Sequence, residues 1–486
     1  MWSMIRPGSL QRGAGAGAVF VQLAAAIADD VRRGALRGGD RLPSTRAVAA
    51  QLGVNRNTVV AAYDELVAQG WAVTRGSGGT YVCEALPERA VRRAPASVAP
   101  GMAARPGFEL RAVPAFRTPF GPPGARYQLS IGTPDTRLVS PVMLARAYRR
   151  ALRSRVGRAG LDYGDPRGVL RLRTALAAML RATRGIPAGA ENILLTRGSQ
   201  MGLDLAARLL VHPGDAVCVE QLGYRPAWRA LEEAGAQLVP IALDASGLVV
   251  DALPSAPPRA VHVTPHHQYP TTVLLSPARR IALLARARRD RFAIIEDDYD
   301  HEFHFDGRPV APLVAADPGG NVIYLGTLSK ILAPGLRIGF VVAAERTIES
   351  LARLRETVDR QGDQILELAV AELIEDGELA RHARKMRRIY ESRRDALASA
   401  LTRELAGAVR FTLPPGGMTL WARVDDRVDL EAWRDRALAR GVAFVTAREF
   451  ALDGRPRPFI RLGYARYDET ELTDAVRRMR RALDDR

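Results

Sequence analysis

Lys330 is the residue whose type most needs a chemical reason. It stands in Gly326-Thr327-Leu328-Ser329-Lys330-Ile331-Leu332-Ala333-Pro334-Gly335-Leu336-Arg337, in a chain of 70 Lys and Arg residues where Lys330 and Lys385 alone are lysine. Arginine serves for positive charge everywhere else. A guanidinium stays protonated and cannot act as an amine nucleophile, whereas an ε-amine can lose its proton and condense with an aldehyde. Lys385, in Arg381-His382-Ala383-Arg384-Lys385-Met386-Arg387-Arg388, reads instead as the solvated face of a basic helix. The run Asn321-Val322-Ile323-Tyr324-Leu325 before Lys330 has the pattern of a buried strand. It places the lysine at a strand's carboxyl end, where open α/β sheets bind ligands.

Other chemistry-bearing residues follow similar runs. After Ile193-Leu194-Leu195-Thr196, Gly198-Ser199-Gln200 opens a helix at Met201, so its amides and the Ser199 hydroxyl can receive a phosphate, although a plain helix cap has the same sequence. Tyr224, after Ala216-Val217-Cys218-Val219, offers an aromatic face. Glu296-Asp297-Asp298-Tyr299 follows Ile294-Ile295 and sets an acidic pair at a buried strand end, which is costly without a cationic partner. A protonated pyridine nitrogen is such a partner. Pyridoxal phosphate asks a protein for an amine, a carboxylate for its ring nitrogen, a phosphate cup and a ring stack. Lys330, Asp297, Ser199 with Gln200, and Tyr224 supply them. Tyr299 is placed to hydrogen-bond the ring's phenolic oxygen, and Thr327 and Arg337 to add to the phosphate site. His266, His267, His301 and His304 raise a metal reading. His301 and His304 have i, i+3 spacing but follow a strand and lack thiolate or third-ligand spacing, so no metal site is expected.

The elements that must position these residues need room. A chain of 486 residues with 47% hydrophobic content can build two or three domains with cores of their own. The net charge of +17 favours a polyanionic partner such as nucleic acid. Cys83 and Cys218 lie far apart without metal-ligand spacing, which points to a reducing cytoplasm. The apolar run from Gly13 to Ala28 imitates a signal peptide, but Val19, Leu23, Ile27 and Val31 recur at helical spacing. No run is long and apolar enough to span a membrane.

The first 83 residues predict a winged helix-turn-helix. A helix from Val19 to about Gly34 precedes Ser44, which caps a short helix over Thr45 to Leu52; Gly53-Val54 turns, and Asn55 caps a second helix over Arg56 to Gln69. Val59, Tyr63 and Leu66 share its inner face and leave Arg56, Asn57 and Thr58 exposed at the end that a recognition helix presents to base edges. Trp71 to Arg75 and Thr80 to Val82, around Gly76-Ser77-Gly78-Gly79, form a hairpin that brings Arg75 and the amides near Gly78 to a phosphate or the minor groove. Residues 84–126, with Pro87, Pro95, Pro100, Pro106, Pro114, Pro119, Pro122 and Pro123, read as a semi-rigid linker. From Tyr127 onward short apolar runs, Ala260-Val261-His262-Val263 and Phe292-Ala293-Ile294-Ile295 beside those already named, alternate with helical segments, which predicts an α/β domain over 127–486 with a mostly parallel sheet.

Residues 19–83 resemble the reading head of GntR-family bacterial regulators, through Leu42-Pro43-Ser44-Thr45-Arg46, Leu52-Gly53-Val54-Asn55-Arg56-Asn57-Thr58-Val59 and the glycine-tipped hairpin. The resemblance adds Ser44, Thr45 and Arg46 to the DNA-facing set. Residues 127–486 resemble a fold-type I aminotransferase, above all through Ser329-Lys330 followed by Ala333-Pro334-Gly335-Leu336-Arg337-Ile338-Gly339. By that likeness Tyr163, in Tyr163-Gly164-Asp165-Pro166, reaches the phosphate of a partner subunit's cofactor, and Arg461 grips the carboxylate of an amino acid. The family's Asn-Pro-Thr-Gly segment appears here as Tyr269-Pro270-Thr271-Thr272, with Gln268 or His267 as candidates for the missing asparagine contact.

The whole chain resembles the MocR/GabR-type subfamily of GntR regulators. That likeness implies a homodimeric, pyridoxal-phosphate-dependent transcription factor that binds operator DNA and senses the cofactor or an amino compound through amine chemistry at Lys330. Candidate effectors include pyridoxal phosphate itself, γ-aminobutyrate, taurine or a D-amino acid derivative. A second reading of the same residues is a working aminotransferase with an accessory DNA-binding domain. A third is a purely dimerising domain, against which Lys330 and Asp297 both speak.

Overall fold

The computed structural model describes residues 18–86, 106–110, 124–307 and 310–484. Residues 1–17 and most of the expected linker, including every proline named above except Pro106, lie outside the described residues. The chain divides into two compact units, 1–114 and 115–486.

In the smaller unit α1 (Val19–Arg32), α2 (Thr45–Leu52) and α3 (Arg56–Ala68) precede β1 (Ala72–Thr74) and β2 (Thr80–Val82). The Ser44 hydroxyl accepts the Ala47 amide at 3.3 Å and Asn55 Oδ1 accepts the Asn57 amide at 2.9 Å, so both expected caps form. Gly53 takes φ +62, a left-handed turn that a Cβ would strain, and this ends α2. Leu23, Ile27 and Val31 of α1 pack with Val48, Val59, Tyr63, Leu66, Trp71 and Val82 into one core. The helix that imitated a signal peptide is therefore the floor of this unit. β1 and β2 pair antiparallel, with Ala72 opposite Val82 and Thr74 opposite Thr80.

The larger unit is built on seven strands: β3 (Ile193–Thr196), β4 (Ala216–Glu220), β5 (Gln237–Ile241), β6 (Ala260–Val263), β7 (Ala293–Asp298), β8 (Val322–Thr327) and β9 (Gly339–Val342). Their order across the sheet is β3-β9-β8-β7-β6-β4-β5, and β9 alone runs antiparallel to its neighbours. Successive side chains point to opposite faces. Ile193, Leu195, Phe340 and Val342 pack among α4 (Pro141–Arg153), α5 (Leu170–Arg184) and α7 (Gln364–Glu375), while Leu194, Leu325 and Val341 pack with α6 (Ser199–Leu210) on the other side. A second sheet, β10 (Val409–Phe411), β11 (Thr419–Val424), β12 (Val445–Thr446) and β13 (Phe459–Gly463), is antiparallel in the order β10-β11-β13-β12. It shares a core with α8 (Glu378–Glu404) and α9 (Glu469–Asp484).

Two expectations shift. The helix after β3 begins at Ser199 rather than Met201. The acidic residues do not follow β7 but end it, so Asp297 points to one face and Glu296 and Asp298 to the other. Glu296 accepts the Leu313 and Val314 amides at 2.7 and 3.0 Å, and Asp298 meets the Tyr324 hydroxyl at 2.7 Å and His301 Nδ1 at 2.9 Å. These partners stabilise two of the three buried carboxylates and leave Asp297 apart.

Candidate functional site

The carboxyl ends of β3, β4, β7 and β8 open on a cavity of about 660 Å³. Lys330, Asp297, Tyr224 and Tyr299 line it, as do Ser199, Thr327, Arg337 and Arg461. Gln200 does not: its side chain donates to the Pro226 carbonyl at 3.0 Å, leaving only its backbone for a phosphate. Tyr163 does not either. It is 74% exposed, with the Arg360 guanidinium 4.3 Å from its ring centre.

Lys330 Nζ donates to the Gly132 carbonyl at 2.8 Å. Burial, helped by the Arg461 charge, pulls its pKa from 10.5 down to about 8, so a far larger share of the amine is unprotonated near neutral pH than in water. Asp297 goes the other way. Burial, then the neighbouring Asp298 and Asp300 carboxylates, pushes it up to about 7. Its Oδ1 is buried without a hydrogen-bond partner. A protonated ring nitrogen would satisfy that oxygen and hold the carboxylate ionised.

The phosphate cup rests on glycine. Gly198, at φ +76, precedes α6, whose first turn carries no side-chain cap; a Cβ on Gly198 would lie 2.5 Å from the Arg337 guanidinium, and one on Gly339 2.7 Å from the Ser199 amide. Absence of both side chains lets Arg337, itself at φ +53, stand against the amino end of the helix, where amides and helix dipole favour an anion. Thr327 is already engaged, donating to the Ile338 carbonyl at 3.2 Å and accepting the Ser329 amide at 3.1 Å. Its geometry positions the turn that bears Lys330. Ser329, passed over in the sequence reading, lines the cavity with a buried, partnerless hydroxyl.

Arg461 projects from β13, opposite Trp421 and Val445 in the second sheet. Its guanidinium lies 4.2 Å from the Tyr269 ring centre, and its Nε is buried without a partner. Gly132 is packed close by, since a Cβ there would meet Thr419 at 2.7 Å. Neither candidate for the missing asparagine reaches the cavity. Gln268 donates to Glu220 at 3.1 Å and to the Leu222 carbonyl at 2.8 Å, and His267 pairs with Asp300 at 2.7 Å. Tyr269 itself lines the wall, edge-on to Tyr224 at 5.3 Å. Tyr299 donates to the His267 carbonyl at 3.0 Å.

In the smaller unit Arg46, Arg56, Asn57, Arg75 and Gly78 are exposed, as is Ser44, while Thr45 and Thr58 are half-buried. Arg56 Nε lies 3.4 Å from Thr45 Oγ1 across the turn between α2 and α3. Arg75 lies over the Tyr81 ring at 5.2 Å and 3.4 Å from Glu84. The first turn of α3, where Arg56 stands, carries no acidic residue.

Residues 127–479 match the family described as aminotransferase class I and II, and residues 21–82 match bacterial regulatory proteins of the gntR family. The chain is 33% identical over 465 residues to the probable rhizopine catabolism regulatory protein MocR of Rhizobium meliloti, covering 95% of this chain and 93% of that protein. It is 34% identical over 481 residues to the HTH-type transcriptional regulator TauR of Rhodobacter capsulatus, covering 96% and 97%. Among solved structures it is similar to LysN, the α-aminoadipate aminotransferase of Thermus thermophilus complexed with N-(5'-phosphopyridoxyl)-L-leucine. That likeness has TM-score 0.67 and 31% identity, over 73% of this chain and 90% of that one.

Proposed function

Because the chain belongs to the aminotransferase class I and II family, in the MocR-type fusion with a gntR-family reading head, we propose that the cavity around Lys330 is its sensor and the amino end of α3 its DNA-reading edge. The protein is a pyridoxal-phosphate-dependent, DNA-binding transcriptional regulator. The observation that carries the cavity assignment is the partnerless Asp297 Oδ1 in the same cavity as Lys330. When bound, pyridoxal phosphate supplies an aldehyde for primary amines and a ring that draws electrons. Asp297 holds the ring nitrogen's proton, Tyr224 packs the ring, and Tyr299 borders its phenolic oxygen. Ser199, the amide of Gln200 and Arg337 hold the phosphate, with Thr327 fixing the turn. Arg461 takes the carboxylate of an amino compound through paired N–H donors.

We take 1–83, 84–126 and 127–486 as reading head, linker and effector domain. Ser44, Thr45, Arg46, Arg56, Asn57, Thr58, Arg75 and Gly78 meet operator DNA in the cytoplasm. Val142, Val156, Leu161, Tyr163 and Leu170 are all exposed large hydrophobics within thirty residues of sequence, as a homodimer interface requires. Such an interface is also the means by which Tyr163 would reach a partner's phosphate. Occupancy then shifts the two reading heads only if the effector binds their arrangements unequally.

The depressed amine pKa makes a kinetic prediction. In cofactor-stripped protein the rate of covalent capture of added pyridoxal phosphate rises with pH and levels off above about 8, where Lys330 is deprotonated. An ordinary lysine would keep accelerating towards its own pKa of about 10.4. A stopped-flow pH series separates them. For the regulator itself, candidate amines are titrated against holoprotein while cofactor absorbance and binding to a labelled operator duplex are followed together. The expected result is one amine class that changes both at the same half-saturation. Sustained turnover with a 2-oxo acid, without change in DNA affinity, would instead establish the aminotransferase.

A further inference from the structure

We propose that His266, His267 and His304 form a binding site for a divalent transition metal of the zinc type. His266 and His267 sit on the loop after β6, His304 on the loop after β7, so the spacing argument against a metal fails once the two loops meet. One ring nitrogen from each lies within 4.8 Å of the other two, and among the described residues no other three His, Cys, Asp or Glu converge in this way. All three side chains are more than nine-tenths buried.

Each of the three rings keeps at least one buried nitrogen without a hydrogen-bond partner. His267 Nδ1 meets Asp300 Oδ1 at 2.7 Å, leaving Nε2 buried and partnerless; neither nitrogen of His266 has a partner, nor has Nδ1 of His304. A buried polar atom without a hydrogen bond is destabilising, and simple packing does not explain several gathered in one place. A shared cation would satisfy a lone pair from each ring. The Asp300–His267 pair is the arrangement by which a carboxylate orients a ligating imidazole and raises its basicity. His301 repeats it, with Nδ1 on Asp298 at 2.9 Å and Nε2 partnerless, and its ring stacks on His266 at 4.4 Å. Imidazole donors without thiolates suit zinc, copper or nickel rather than magnesium or calcium. Tetrahedral Zn–N bonds of about 2.0–2.1 Å bring ligand nitrogens to roughly 3.3 Å, so the three rings would draw closer on a bound ion. The metal would clip together the loops that carry Tyr269 and Tyr299, two residues of the cofactor cavity wall.

The test uses untagged full-length holoprotein expressed with added zinc chloride, desalted, and analysed for metal per chain. Wild type is expected to retain about one Zn²⁺ per chain, and the double variant His266→Gln/His304→Gln less than about a tenth, with its cofactor band and circular dichroism unchanged. Wild type below a tenth, or equal retention in both proteins, overturns the proposal. Should the double variant not fold, cobalt chloride supplied to wild type during expression decides: intense visible bands of four-coordinate Co²⁺ support the site, and the weak spectrum of aquated cobalt overturns it.

Discussion

Lys330→Ala is expected to abolish the visible band of the protein-bound cofactor and all cofactor fixed to the chain by borohydride, while the protein stays folded. The side chain makes one hydrogen bond, to the Gly132 carbonyl. Losing it costs the fold at most about 1–3 kcal/mol, the penalty of one unsatisfied buried acceptor. The chemical effect is of a different order, because the only other side-chain primary amine, Lys385, is exposed on α8 and does not line the cavity. Lys330→Arg is the sharper companion. It keeps a cation but cannot condense with an aldehyde, so it too should show no fixed cofactor. Intact mass after borohydride treatment reads the outcome. Undiminished labelling in either variant would remove Lys330 from the centre of the site.

That lysine was legible because composition isolated it, and Asp297 because a carboxylate in an apolar run requires a reason. Five strands of the main sheet were legible as continuous apolar runs, the signature of strands covered on both faces. β5 was not, since Gln237 and Pro240 interrupt it; it lies at the sheet's edge, where a residue without an N–H is tolerated. β9 hides for another reason. It is four residues long and follows the Arg337 turn directly, so it reads as the tail of the lysine motif. The second sheet has one wetter face, and its strands, such as Thr419–Val424, alternate rather than run apolar.

The parts of the site that stayed hidden are those with no sequence-local cause. The partner of Lys330 is the backbone oxygen of Gly132, nearly two hundred positions away, and a backbone acceptor has no residue-type signature. Glu220 is held by the Thr264 hydroxyl at 2.7 Å and by Gln268 at 3.1 Å, and burial pushes it up to about 7. Those three residues come from two strand ends that only the parallel pairing of β4 with β6 makes neighbours. The histidine cluster is hidden in the same way, since its members come from the ends of β6 and β7. Strand order, which no local pattern encodes, decides the last two of these groupings.

Arg56→Ala is expected to weaken operator binding roughly ten- to a hundredfold, equivalent to about 1–3 kcal/mol for one good base or phosphate contact, without altering the cofactor band. The residue opens α3, is exposed, and has one long contact to Thr45, so truncation leaves the core of Val59, Tyr63 and Leu66 untouched. Loss of affinity therefore reports DNA contact rather than unfolding. Fluorescence anisotropy with a duplex selected from a random pool, repeated across salt concentrations, divides the two kinds of contact. A phosphate contact lowers the salt slope by about one and weakens all sequences alike, whereas a base contact relaxes preference at one position. Unchanged affinity would mean that the amino end of α3 does not face the groove. The reading head would then have to read DNA through Arg46, or through Arg75, whose guanidinium would first leave Glu84 and the Tyr81 ring.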